Sequence, residues 1–226
     1  MTNDEKLLEF FYSIITESKR NKFDTIASER TRHLTVVIEN VYQEQNASAI
    51  VRSCDCFGIH DIHVIEKDNS FSVNREIAVG AGKWVNIQHY QDPKFPTTTA
   101  LNALKARGYR IIATTPHEED TTINELPLEQ PTALLFGTEK MGLSEAALAQ
   151  ADAFVKIPMY GFSESLNVSV SAALCLHTLR QKLEKMPIDH WKMTKEEQVE
   201  IKLNWCRKIL RNVEASEREF LKSIGE

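Results

Sequence analysis

Leu34-Thr-Val-Val-Ile-Glu-Asn-Val41 is a nearly continuous run of branched residues, followed at once by Asn46-Ala-Ser-Ala-Ile-Val-Arg52-Ser-Cys-Asp-Cys-Phe-Gly58. A short apolar run of this kind reads as a strand covered on both faces. In the segment after it, Ala47, Ile50, Cys54 and Phe57 recur at three- and four-residue steps and mark one apolar helix face. Asn46 suits the N-cap of that helix and Gly58 its C-terminal stop. Outward from this unit the alternation continues. Strands are expected at Asp61–Glu66, Val85–Tyr90, Tyr109–Thr115, Thr132–Gly137 and Phe154–Pro158, and helices at Thr98–Arg107, Ser144–Gln150 and Val168–Lys185. Strands alternating with helices imply an α/β protein with a parallel sheet and flanking helices, whose ligands bind beyond the carboxyl ends of the strands.

The chain of 226 residues carries a formal net charge of −5. It is therefore not an undiscriminating polyanion binder, and any nucleic-acid contact must come from local basic patches. Cys54, Cys56, Cys175 and Cys206 form no metal-clip pattern and read as small apolar residues in a reducing cytosol. Asp4, Glu5, Glu9 and Glu17 break up the apolar N-terminus, and no uncharged stretch approaches the roughly 18 residues of a membrane span. A cytoplasmic protein is the expectation. Three zones are anticipated: a polar helical extension over 1–32, a catalytic domain over 33–186, and a C-terminal helical extension over 187–226. The last opens with the capping-box pattern Thr194-Lys-Glu-Glu197 and carries an apolar stripe through Val199, Leu203, Cys206, Leu210 and Val213.

Some motifs fail on inspection. Gly80-Ala-Gly82-Lys83 lacks the glycine spacing of a phosphate loop and is followed by Trp84 rather than a hydroxyl residue. His60 and His63, three apart at a strand start, fall on opposite faces, so no metal site is expected.

Three segments carry chemistry together. Arg52 lies off the apolar face of the first helix; alone it reads as one half of an exposed pair with Asp55. Leu134-Leu-Phe-Gly137-Thr-Glu139-Lys-Met-Gly142-Leu-Ser144 is a buried strand ending in a glycine and then a glutamate. Gly137 permits close approach to the backbone. Ile157-Pro158-Met159-Tyr-Gly161-Phe-Ser-Glu-Ser165-Leu166-Asn167 passes from a strand into a long helix that Ser165 or Asn167 can cap, leaving a positive helix end suited to a ligand carboxylate. The first turns of that helix are apolar nearly all round, the mark of burial against a second copy.

In this order and spacing the three segments closely resemble the signature motifs of the SpoU branch of the SPOUT RNA 2′-O-ribose methyltransferases. The resemblance covers Arg30 to about Lys185, and Gly82-Lys83-Trp84-Val85 resembles a stretch of the tRNA-modifying members. It implies a parallel sheet with a C-terminal deep trefoil knot, a homodimer, and S-adenosylmethionine as methyl donor, leaving S-adenosylhomocysteine. It places the cofactor among Thr114, Gly137, Ile157, Met159, Ser165 and Leu166. It makes Arg52 the catalytic arginine, with Asn46, Glu139, Ser165 and Asn167 completing the set. Arg52 either accepts the hydroxyl proton or stays charged and stabilises the developing oxyanion, since an arginine pKa of about 12.5–13.8 leaves little neutral form. The expected substrate is tRNA, at the D-loop guanosine of position 18, rather than DNA or a membrane; rRNA is the alternative. Arg30, Arg32, Lys83, Arg180 and Lys182 are the expected RNA contacts. Gln45, where many tRNA members carry histidine, departs from the pattern. A non-catalytic RNA-binding protein of the same fold is the more remote reading.

Overall fold

The strand runs pair side by side. The computed structural model describes residues 1–116 and 121–224. Strands β1 (Leu34–Glu39), β2 (Asp61–Ile65), β3 (Asn86–Tyr90), β4 (Arg110–Thr114), β5 (Thr121–Thr122), β6 (Thr132–Phe136) and β7 (Ala153–Lys156) form one sheet in the order β3-β2-β1-β6-β4-β7-β5. All their pairings are parallel. Each run lies within a residue or two of its expected position; the two-residue β5 was too short to signal itself. Central β1 and β6 are buried along their whole length.

Helices α1 (Asn3–Ile14) and α2 (Glu17–Glu29) precede the sheet. Between its strands run α3 (Glu44–Cys56), α4 (Pro96–Ala106) and α5 (Glu145–Gln150), and α6 (Val168–Leu183), α7 (Lys195–Ile209) and α8 (Val213–Ile224) follow it. One face of β1, through Leu34, Val36 and Ile38, packs with Ile50 and Cys54 of α3 and Leu176 and Leu179 of α6. The opposite face, through Val37, packs with Leu101 and Leu104 of α4 and Ala147 of α5. Each fully buried Leu or Ile contributes about 1.5–3 kcal/mol. Gly58 has φ 75° and closes α3 as expected.

The chain forms two compact units, Met1–Arg30 with Lys192–Glu226, and Thr31–Trp191. Most of the two terminal zones thus belongs to a single helical unit, while residues 31–32 and 187–191 fall in the other. Within it, Thr194 and Glu197 form the expected capping box. The apolar stripe is divided, because Leu210 is extended and a new helix begins at Val213. Arg30 is only 1% exposed, its guanidinium 5.6 Å from the Trp205 ring. This corrects its placement on the RNA surface: burial against an indole makes it a packing residue of the helical unit.

No group of three or more His, Cys, Asp or Glu side chains that could hold a metal ion, His63 included, occurs among the described residues. His63 lies buried on β2 with its Nδ1 3.0 Å from the Tyr90 hydroxyl. Burial lowers its pKa from 6.5 to about 4, with Asp61 opposing that and Arg107 adding to it. Unfolded chain therefore takes up a proton between pH 6.5 and 4 that the folded state refuses, so stability falls as pH drops through that window. The expected loss is about 3 kcal/mol at the acid end. Denaturant midpoints measured from pH 7 to 4 should show it, and His63→Asn should flatten the curve; identical slopes in both proteins would rule His63 out as the cause.

Candidate active site

At the end of β6 the chain doubles back on itself. Thr138 and Gly142 exchange backbone hydrogen bonds of 2.9 and 3.0 Å, and Gly142 takes φ 67° to make the turn. Gly137 lies beneath this turn, where a Cβ would fall well inside 3.0 Å of the Gly142 carbonyl and the Leu143 nitrogen. Both obstacles are backbone, so only glycine fits. The loop 137–143 forms one wall of a cavity of about 650 Å³ at the carboxyl ends of β4, β6 and β7. That location is the one general to parallel sheets. Thr114, Gly137, Ile157, Met159, Ser165 and Leu166, read separately along the sequence, all line it. The Thr114 hydroxyl donates to the Leu135 carbonyl at 2.6 Å, tying β4 to β6 at the cavity floor.

The cluster at the rim joins all three segments. The Asn46 carboxamide donates to Gln43 Oε1 at 3.1 Å and to Glu139 Oε1, and its oxygen accepts from Asn167 Nδ2 at 3.0 Å. Both of its N–H donors face acceptors, which fixes the amide's orientation. Asn167 Oδ1 in turn accepts from the Ser169 backbone at 2.8 Å, so Asn167 rather than Ser165 caps α6. Asn46 is not the N-cap of α3. Gln43 occupies that position, and the Asn46 side chain is drawn instead into the network with Glu139 and Asn167. Ser165 is exposed at the cavity.

Arg52 is six residues beyond Asn46 on α3, about 9 Å along the axis. It is exposed and does not line the cavity of its own chain. Lys83, at the end of the 3₁₀ turn Ala81–Lys83, is also exposed. The other expected RNA contacts are engaged within the chain. Arg32 Nε is 3.1 Å from the buried Asp61 carboxylate. Arg180 lies 4.6 Å from the Trp191 ring and pairs with Glu184 at 3.0 Å. Lys182 donates to the carbonyls of Asn124, at 2.8 Å, and Leu126. Burial pulls its pKa down against the opposing pull of Glu129 and Glu125. Spacing alone marks such residues as cations on a helix and cannot show that their partners lie inside the fold.

Two residues of the site went unread. Gln43 lines the cavity and braces Asn46. Glu39, 4% exposed at the end of β1, accepts hydrogen bonds from Thr97 Oγ1 at 2.6 Å, Ser144 Oγ at 2.7 Å and Ser144 N at 2.8 Å. Its one signal was a lone carboxylate inside an apolar strand, where burial requires partners.

The SpoU rRNA Methylase family matches residues 33–177 of the chain, from the start of β1 into α6. The chain belongs to the SpoU methylase family. This SpoU methylase is 37% identical over 198 residues to a tRNA (guanosine(18)-2′-O)-methyltransferase of Borreliella burgdorferi, a match covering 88% of each chain. The crystal structure of the A. aeolicus TrmH/SpoU tRNA modifying enzyme superposes with a TM-score of 0.76 and 31% identity, over 86% of this chain and 98% of the other. The parallel sheet and flanking helices are thus the SPOUT architecture that the motifs implied. AviRb of Streptomyces viridochromogenes, solved in complex with AdoMet, matches with a TM-score of 0.60 and 25% identity over 72% of this chain and 65% of that one.

The residues of the SpoU methylase fit S-adenosylmethionine. The cavity volume falls within the roughly 300–1,000 Å³ of small-molecule sites. Its walls combine apolar groups of Val155, Ile157 and Leu166 with the backbone of the 137–143 loop, suited to an adenosyl group. The capped N-terminus of α6, at Asn167 and Val168, borders it and favours a carboxylate.

Proposed function

We propose that the protein transfers a methyl group from S-adenosylmethionine to the 2′-oxygen of an RNA ribose, at the D-loop guanosine of tRNA position 18, and that it does so as a cytoplasmic homodimer. The observation that carries this reading is the Asn46–Glu139–Asn167 network. It brings the three motif segments to the rim of one cavity lined by all six residues expected to hold the cofactor. The name and 88% coverage of the Borreliella burgdorferi relative support tRNA and position 18.

When bound, S-adenosylmethionine supplies an electrophilic sulfonium methyl. The protein's part is to hold the ribose hydroxyl in line with it and to manage the hydroxyl proton. Asn46, Asn167 and Ser169 fix the start of α6, while the Glu139 oxygen not engaged by Asn46 is available to a hydroxyl donor at the rim. Arg52, exposed on α3, serves the hydroxyl as base or as stabiliser of the developing oxyanion. Exposed Met141, Tyr160, Phe162 and Leu166, with Val170 and Leu174 along α6, form the apolar surface that a second copy would cover. The match to the A. aeolicus TrmH/SpoU structure supports a C-terminal part threaded as the deep trefoil knot that the motif resemblance implies. No helix among the described residues is long and apolar enough to cross a membrane.

Incubation of total RNA with the protein and labelled cofactor, followed by mass-spectrometric mapping, tests the reaction and its substrate together. Label in 2′-O-methylguanosine of the tRNA D-loop is expected. Label in ribosomal RNA would favour the rRNA reading that the family's description suggests, and label on a base would contradict ribose methylation altogether.

Lys83 carries the RNA-contact prediction, because its side chain is exposed whereas Arg32 is committed to Asp61. Lys83→Ala should weaken tRNA binding several-fold and reduce the slope of log affinity against log salt by about 0.7–1. An unchanged slope would remove Lys83 from the interface.

A further inference from the structure

We infer that Glu39 is a positioning residue for the methyl-donor pocket, acting through Ser144 on the loop 137–143; this rests on the cofactor assignment above. Glu39 ends β1 with its carboxylate turned to the α4–α5 face, opposite Leu34, Val36 and Ile38. One oxygen accepts from Thr97 Oγ1 at 2.6 Å and Ser144 Oγ at 2.7 Å, the other from Ser144 N at 2.8 Å. Three donors converging on a carboxylate that is only 4% exposed fix its rotamer. On its other side the backbone is held by Asn40, which takes φ 53° and accepts from the Asp68 and Asn69 nitrogens at 2.9 Å each. Glu39 is thereby a fixed post rather than a surface group.

What the post holds is the far end of the pocket wall. The loop begins at Gly137, closes through the Thr138–Gly142 pair, and ends where Ser144 caps α5 by accepting from Ala147 N at 3.2 Å. Ser144 is thus gripped three ways: backbone N–H and hydroxyl proton by Glu39, hydroxyl oxygen by α5. With Gly137 pressed against the Gly142–Leu143 backbone, the loop has no slack at its start. The Glu39–Ser144 clamp removes it at the end. Thr97 belongs to α4 and contributes nothing to the cavity wall, so the two partners of the same carboxylate differ in what they position.

Calorimetric titration with S-adenosylmethionine and S-adenosylhomocysteine tests this, alongside thermal midpoints for each variant. Glu39→Gln replaces one carboxylate oxygen by an amide NH2, so that either the Ser144 N–H or the Thr97 and Ser144 hydroxyls face a donor, and should weaken both ligands about tenfold. Ser144→Ala, which removes one hydroxyl and keeps the fold testable should Glu39→Gln fail to fold, should weaken them about threefold. The double variant should be no weaker than Glu39→Gln alone. Thr97→Val should lower the thermal midpoint while leaving ligand affinity within twofold of wild type. Unchanged affinity in Ser144→Ala, or an equal loss in Thr97→Val, would overturn the inference and reduce Glu39 to a general stabiliser. Wild-type protein that binds neither ligand would instead overturn the cofactor assignment, and this inference with it.

Discussion

Arg52→Ala should lower the rate of methyl transfer by roughly 10²- to 10⁴-fold, the range spanned by loss of a general base or of an oxyanion-stabilising group. Cofactor affinity should stay within about twofold of wild type, because Arg52 does not line the cavity. That split follows from where α3 places its residues. Asn46, in the first turn, is buried and bound to Glu139 and Asn167, whereas Arg52, six residues further on, projects to solvent. Single-turnover rates and calorimetry on the same preparation measure both halves. Retained activity would remove Arg52 from the mechanism, and lost cofactor binding would make it a pocket residue. Arg52→Lys is less informative about its role, since lysine keeps the charge but loses the planar fork.

Gly137→Ala is expected to cost about 3 kcal/mol or more of stability and to abolish cofactor binding. The added methyl would meet the carbonyl of Gly142 and the nitrogen of Leu143, neither of which can rotate away as a side chain would. Relief requires the loop 137–143 to move, and that loop is the cavity wall. Gly142→Ala is the control. Its Cβ would meet nothing within 4 Å, and only its φ of 67° opposes the change, at about 1–2 kcal/mol. Denaturant unfolding should therefore rank Gly137→Ala well below Gly142→Ala; equal losses would mean that the close passage is not the constraint.

The fold was legible because burial leaves a periodic trace: β1 and β6 are apolar along their length and are covered on both faces. The site was legible only as three separate fragments. Periodicity reports which residues a segment buries locally, not which loops meet at the end of a sheet, and the meeting of Asn46, Glu139 and Asn167 spans separations of about a hundred residues. The same limit misplaced Asn46 as a cap, since a side chain that can cap a helix can equally bridge to a distant carboxylate. It placed Arg30 on the surface although Trp205, far along the chain, covers it. Glu39 was hidden for a related reason: its partners Thr97 and Ser144 come from two other helices.

A crystal structure of the protein with S-adenosylhomocysteine tests the convergence of the three segments most directly. The ligand is expected among Thr114, Gly137, Ile157–Met159 and Ser165–Leu166, its sulfur facing the rim held by Asn46, Glu139 and Asn167, with Arg52 of one protomer or the other directed at that rim. A ligand bound elsewhere, or Arg52 remote from the sulfur in every protomer, would contradict the account.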